Sequence, residues 1–340
     1  MSLLKINNLG DLIWKQTFPI EHSGGYVIQT KDGKYAVSGT TSVNRTTVHS
    51  QAFLTKLDSQ GNIVWNKTLE HENTDDRVNS FIETDDGGYV IVGQTEYPEQ
   101  INPEAFIIKT DSDGNIHWFR TCGQGASSHA WSIAETKDNS YSIFGTRDGF
   151  WLIKTDMNGV VQWNKTYNQN LEPPPTQTVA YARSGILTSD GGHVIVGSLS
   201  GIKEIAWVVK TDSLGNVQWN KTYGTSNKNV FNHVLQTSDG GYVFSGLSNY
   251  KAWIVKTDSK GSIQWNATYD YTLESTGKSI VETENGEYVL VGTSSDGIWL
   301  AKITPPVILE FPLWIFPSLL IISILAVFIL RNILIQKRIE

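Results

Sequence analysis

The chain contains one cysteine, Cys122, in 340 residues. A single thiol excludes an intramolecular disulfide and any cysteine-based metal site, and it reads as a small buried side chain rather than a reactive one. Basic stripes are missing before the last residues and the formal charge is −7, which argues against a nucleic-acid partner. Before residue 313 no window carries a helical apolar period, so no amphipathic helix is expected there. The signatures HExxH and GxSxG and the phosphate-binding glycine loop do not occur. The seven histidines are scattered, with His117 and His193 at regular repeat positions that suit structural roles. The stretch DSDGN at 111–115 is similar to a calcium loop, but the equivalent turns carry Gln60, Leu214 or Lys260 in place of Asp113, so it reads as a turn. No cofactor and no metal is therefore expected.

A repeat is present instead. The string KTDSDGNIHW at 109–118 returns as KLDSQGNIVW at 56–65, KTDMNGVVQW at 154–163, KTDSLGNVQW at 210–219 and KTDSKGSIQW at 256–265. A weaker copy, KINNLGDLIW, starts at residue 5 and a stub, KIT, at 302, so the copies lie 51, 53, 45, 56, 46 and 46 residues apart. Around each copy an alternating segment, a DGG-type turn and a β-branched segment ending in Gly recur, as in VLQTSDGGYVFSG at 234–246. Each unit thus carries four short antiparallel strands, A to D, in about 45–50 residues. That is the pattern of a β-propeller blade, which cannot bury both faces without neighbours. Twelve Trp and thirteen Tyr fit aromatic positions fixed by such a repeat. Asp58, Asp111, Asp156, Asp212 and Asp258 open the C–D turn, and the tryptophans at 14, 65, 118, 163, 219 and 265 are expected to pack between blades. The repeated Lys two residues before each Asp reads as a structural ion pair with that Asp.

The expected fold is all-β: a propeller of four-stranded blades. Six blades result if strand D at 10–18 pairs beside 297–303, and seven if further sequence precedes Met1. The D-x-x-G-x-x-x-W hairpin resembles the tryptophan-docking repeat of quinoprotein-like propellers. The T-x-D-G-G-Y-x-[IV]-x-G element is similar to repeats of secreted archaeal and bacterial propellers. The resemblance covers about 300 residues and implies fold rather than activity. Quinone dehydrogenases of that superfamily use a vicinal disulfide that one cysteine cannot form, so no cofactor residue carries over.

The C-terminal part has a different character. Residues 313–330, LWIFPSLLIISILAVFIL, run 18 residues without a charge, about 27 Å as a helix and close to the bilayer core. Arg331, Lys337 and Arg338 follow, which places the C-terminus in the cytoplasm and the propeller outside. The organisation expected is a propeller at 1–304, a Pro-rich linker at 305–312, a single membrane helix at 313–331 and a basic cytoplasmic tail at 332–340. MSLLKINNLGDLIW has no signal-peptide core, so export in this topology calls either for a segment upstream of Met1, the favoured expectation, or for insertion directed by the C-terminal span itself. Glu310, Phe311 and Pro312 ahead of the apolar run resemble an archaeal Pro-Glu-Phe surface-sorting signal, with Leu309 where that signal has Pro. The resemblance implies an archaeal cell-surface protein. Five sequons begin at Asn44, Asn66, Asn164, Asn220 and Asn266, four of them just after the D-strand Trp, and are candidate glycosylation sites.

Loop lengths indicate where function should lie. A–B and C–D links are short throughout, whereas B–C and D–A links vary, as in 41–51, 96–104 and 168–178. These two sets emerge at opposite ends of an up-and-down blade, and binding loops concentrate on the variable end. Arg45, His49, Arg77, Tyr97, His129, Arg147, Asp148, Tyr181, Arg183 and Tyr250 are its candidate contacts. The function expected is a non-catalytic, membrane-anchored extracellular module binding a protein or glycan. The alternative is a surface glycosidase or lyase, which requires paired carboxylates at the channel mouth.

Overall fold

The structure is a computed structural model that describes residues 1–305 apart from 8–9, 19–21, 43–49, 71–73, 100–101, 124, 169–178 and 271–273. The expected membrane helix at 313–331, the linker beyond residue 305 and the tail at 332–340 lie outside the described residues, as do Asn44, Arg45, His49 and Pro173 to Pro175. Residues Met1–Ile303 form one compact unit.

An N-terminal hairpin consists of β1 (Ser2–Ile6) and β2 (Leu12–Thr17). Blade one follows with β3 (His22–Gln29), β4 (Tyr35–Ser42), β5 (Ser50–Leu57) and β6 (Ile63–Leu69). Blade two has β7 (Asp75–Glu83), β8 (Tyr89–Glu96), β9 (Glu104–Thr110) and β10 (Ile116–Thr121). Blade three has β11 (His129–Glu135), β12 (Tyr141–Thr146), β13 (Phe150–Thr155) and β14 (Val161–Tyr167). Blade four has β15 (Val179–Leu187), β16 (His193–Ser200), β17 (Glu204–Thr211) and β18 (Val217–Tyr223). Blade five has β19 (Asn229–Gln236), β20 (Tyr242–Ser248), β21 (Lys251–Thr257) and β22 (Ile263–Tyr269). Blade six has β23 (Thr276–Glu282), β24 (Tyr288–Ser294) and β25 (Gly297–Ile303). All neighbours within a blade pair antiparallel in chain order.

The repeated motifs build one end of every blade. In blade two, Thr84 Oγ1 and Gly88 N donate to Asp86 Oδ1 at 2.6 and 2.9 Å, closing the A–B turn. The C–D turn closes around Asp111, whose Oδ1 accepts from the backbone N of Asp113 and Asn115 at 2.9 and 2.8 Å. The strand-C lysine then ties strand C to the A–B turn. Lys109 Nζ lies 2.8 Å from Asp86, Lys210 2.9 Å from Asp190 and Lys256 2.8 Å from Asp239. This corrects the expected partner: the lysine reaches the acid of the other turn, because the Asp two residues on is already saturated by its own turn. Burial works to raise the Asp86 carboxyl, but hydrogen bonds from Lys109, Thr84 and Gly88 outweigh it and bring it to about 2.

Blades are held together by apolar layers between them. Val90, Val92 and Ile107 of blade two pack with Ile143, Trp151 and Ile153 of blade three. Equivalent layers join the later blades, as with Val194 and Val208 of blade four against Phe231, Phe244 and Val255 of blade five. Each such side chain contributes about 1.5–3 kcal/mol on full burial. Cys122 belongs to one of these layers, and burial pushes its thiol up to about 12. The D-strand tryptophans dock as expected. Trp65 lies over the C–D turn of the next blade at Gly114, Trp118 at Gly159, Trp163 at Gly215 and Trp219 at Gly261.

The ends of the chain depart from expectation. Strand β2 pairs with β1, in a register that joins Lys5 to Trp14, and not with β25, so blade six has three strands among the described residues. The short turn between Asn7 and Asp11, where Asn7 Oδ1 accepts from Asp11 N at 2.8 Å, makes the local hairpin far cheaper in loop entropy than a closure spanning the whole array. Even so, Trp14 sits over Gly61 as the other tryptophans do, and its Nε1 donates to Ser59 O at 3.2 Å. The hairpin therefore occupies, against blade one, the place of a preceding blade's C and D strands.

Candidate functional site

The A strands of all six blades converge on one axial cavity of about 940 Å³. Each carries a β-bulge at the same point, where strand A has one residue more than strand B. The skipped residues are Gly24, Asn79, Trp131, Arg183, Asn232 and Lys278. A bulge re-aims a side chain, and here it does so six times around one axis; five of these residues, all but Gly24, line the cavity. The bulge also explains the Gly that ends each B-strand motif. A Cβ at Gly197 would fall 1.9 Å from Tyr181 O, so the strands approach more closely there than any side chain allows.

The bulged residues fall into two groups. Asn79 Nδ2 donates to Ala130 O of the next blade at 2.9 Å, and Asn232 Nδ2 donates to Thr276 Oγ1 and Gly277 O at 3.0 and 2.8 Å. Trp131 Nε1 donates to Thr146 Oγ1 at 3.1 Å, and its ring stacks on His129 at 5.8 Å. These three stitch blades together or brace the rim. Arg183 and Lys278 have no hydrogen bond or ion pair among the described residues, and both are open to the cavity. Burial, and behind it the charge of Arg183, hold the Lys278 ammonium below the ordinary lysine range. His233 also lines the cavity, and burial lowers its ring to about 4, so it is neutral at pH 7. Among the described residues no Asp or Glu lines this cavity. Its described lining is cationic and partly aromatic, which suits an anion.

The expected contact residues divide between this cavity and the rim. Tyr181 and Arg183 lie within β15 and line the cavity rather than standing on loops. Arg77 and His129 lie in β7 and β11; the His129 ring is hydrogen-bonded to Gln94 and held below its usual range by burial, with Arg77 adding to the effect. Arg147 and Asp148 form the short B–C link of blade three, with the guanidinium 5.5 Å over Trp151. Tyr250 sits in the B–C link of blade five under Lys228, at 5.3 Å. Tyr97 lies at the edge of the link after β8 and is half-buried. The rim links brace one another: Ser128 N donates to Pro103 O at 2.9 Å and Asn249 N to Lys228 O at 2.8 Å. Lys278, Asn232, Trp131 and Asn79 were not among the residues singled out by sequence.

The two ends of the blades differ in construction. Every A–B link and every C–D link is five residues long. B–C links run from two to seven residues and D–A links from five to eleven. Among the described residues Asp76 of β7 is a buried acid near the rim whose carboxyl is raised, by burial, to about 6, and it does not line the axial cavity. Among the described residues no cluster of His, Cys, Asp or Glu could hold a metal. The sequon residues Asn164, Asn220 and Asn266 are exposed on the outermost strand. Their amide oxygens accept from the indoles of Trp151, Trp207 and Trp253 at 3.1, 3.4 and 3.4 Å, while Asn66 accepts from Thr55 Oγ1 at 2.6 Å.

No family model and no curated protein matches the sequence. Solved structures do match. Sqt1 of Saccharomyces cerevisiae aligns at TM-score 0.57 and 10% identity, covering 87% of this chain and 76% of that one. BBS1N in complex with ARL6DN aligns at TM-score 0.54 and 12% identity, covering 88% and 83%. BamB from Moraxella catarrhalis is a looser match at TM-score 0.48 and 13% identity, covering 87% of each chain. The fold is a six-bladed β-propeller.

Proposed function

We propose that this chain is a non-catalytic interaction module, exposed at the cell surface and anchored through 313–331, that holds a protein partner on the end carrying its B–C and D–A links. The observation that carries this reading is the contrast between the two ends. One consists entirely of five-residue turns, while the other varies from two to eleven residues on the same scaffold. Variable loops on a rigid framework are where recognition concentrates. Propellers of this fold do hold proteins, as BBS1N does ARL6DN. The absence of an Asp or Glu from the cavity lining among the described residues weighs against a polysaccharide-cleaving enzyme.

The test is co-purification of the tagged full chain from envelopes of its source cells. The rim variant Arg147→Glu with Tyr250→Asp is compared with the turn-end variant Gln60→Glu with Lys260→Glu. The reading expects a partner protein retained by the wild type and the turn-end variant and lost from the rim variant. Equal retention by both variants would overturn it, as would retention of glycan alone. Surface exposure is tested separately: protease added to intact cells should cut the propeller, and its full protection would reverse the topology. Glycans on Asn66, Asn164, Asn220 or Asn266 belong to the same reading, and mass spectrometry of the purified chain decides them.

A further inference from the structure

We infer that the axial cavity is a second site, distinct from the rim, that binds a small organic carboxylate between Arg183 and Lys278. In blades two to six the bulge position presents one extra strand-A side chain to the axis while its neighbours stay fixed in the ladder. At the equivalent positions Asn79 and Asn232 spend their amides on the next blade. Arg183 and Lys278 spend nothing on the fold, yet they occupy blades four and six on either side of Asn232 and face a shared cavity.

Two like charges facing one chamber, with no acid among the described residues of its lining, repel one another. Burial first, and then the charge of Arg183, hold the Lys278 ammonium below its ordinary range. A fold gains nothing from such a pair, whereas a ligand carboxylate relieves the repulsion and accepts charge-assisted hydrogen bonds from both side chains. The guanidinium fork suits the planar carboxylate, and the ammonium adds a point charge. Tyr26, Tyr181 and Trp131 in the same lining offer ring faces to the body of the ligand, and Ser279 a hydroxyl. The cavity volume of about 940 Å³ accommodates a molecule of one or two rings. A ring-bearing carboxylate, sugar acid or aromatic acid, is the shared chemistry.

The experiment is isothermal titration calorimetry of the full chain with D-glucuronate, benzoate, D-glucose and inorganic phosphate. The inference expects binding of glucuronate or benzoate, and which of them binds identifies the body of the ligand. Arg183→Gln and Lys278→Gln should each weaken that binding at least about tenfold. Neither substitution should lower the unfolding temperature, because neither side chain supports the fold. Saturable stabilisation of the wild type against heat by the binding carboxylate, and not by glucose, provides a second reading should a variant fail to fold. Failure of both carboxylates to bind overturns the inference, as does glucose or phosphate binding equally well, or unchanged affinity in both variants. The rim reading is unaffected by any of these outcomes, since its variants lie outside the cavity lining.

Discussion

Replacing Gly159 with Ala tests the tryptophan dock. Gly159 closes the C–D turn of blade three at φ +75°, and an added Cβ would lie 2.5 Å from Cη2 and Cζ3 of Trp118 in the preceding blade. Gly240 closes an A–B turn at φ +80° with nothing within 4 Å of an added Cβ. Both substitutions force Ala into the left-handed region, at about 1–2 kcal/mol. Only Gly159→Ala must also push the indole aside, which adds about 1–3 kcal/mol of overpacking. Gly240→Ala should therefore cost about 1–2 kcal/mol and Gly159→Ala about 2–5 kcal/mol. The Trp118→Ala background removes the obstacle, so there Gly159→Ala should fall back to the backbone cost alone. The double-mutant cycle then returns a coupling of about 1–3 kcal/mol. Equilibrium urea unfolding with fixed slopes measures all five proteins, the wild type, Gly240→Ala, Gly159→Ala, Trp118→Ala and the double variant. Equal costs for the two Ala substitutions, or a coupling near zero, would refute inter-blade docking by Trp118.

Three further outcomes follow from the same geometry. Lys210→Met removes charge-assisted bonds to both Asp190 oxygens, at 3.1 and 2.9 Å, and should cost about 1.5–3 kcal/mol in urea unfolding, while the exposed Lys260→Met changes stability by less than about 0.5 kcal/mol. His193 is buried between Phe144 and Trp163, and burial lowers its ring to about 4 from an ordinary 6.5. Its neutral form is the folded one, so its contribution is complete above about pH 6.5 and fades, by up to about 3 kcal/mol, as pH falls to about 4. His193→Gln should flatten that slope, and an unchanged pH profile would contradict the assignment. Trp14→Ala should cost about 2–3 kcal/mol, because Trp14 packs edge-on against Tyr35 at 5.6 Å as well as over Gly61; an unaltered melting curve would show that the N-terminal hairpin is not docked on blade one.

The strands and their turns were legible because their signals are local. Thr-x-Asp-Gly-Gly and Asp-x-x-Gly each close within five residues, and period-two alternation marks the strands between them. What failed was longer in range. The lysine of strand C was paired by sequence proximity, yet it crosses to the A–B turn, a neighbour only once the sheet exists. Tyr181 and Arg183 were placed with the rim contacts although they follow the link at 168–178, and β15, which begins at Val179, carries both into the cavity. The bulges were invisible for a related reason: one extra residue per A strand leaves the apolar alternation intact on either side. Repeat alignment held a usable clue, since Asn, Trp, Arg, Asn and Lys occupy equivalent positions amid otherwise similar residues. Strand β2 was expected at the edge of β25, but only chain distance distinguishes that closure from the local hairpin that forms.

The claim that the variable end is the recognition surface is tested most directly by hydrogen–deuterium exchange of the full chain, alone and with its co-purified protein partner. The account predicts added protection at the rim links 147–149, 201–203, 224–228 and 249–250, with none at the turns 84–88, 111–115, 188–192 and 258–262. Protection confined to those five-residue turns would contradict it.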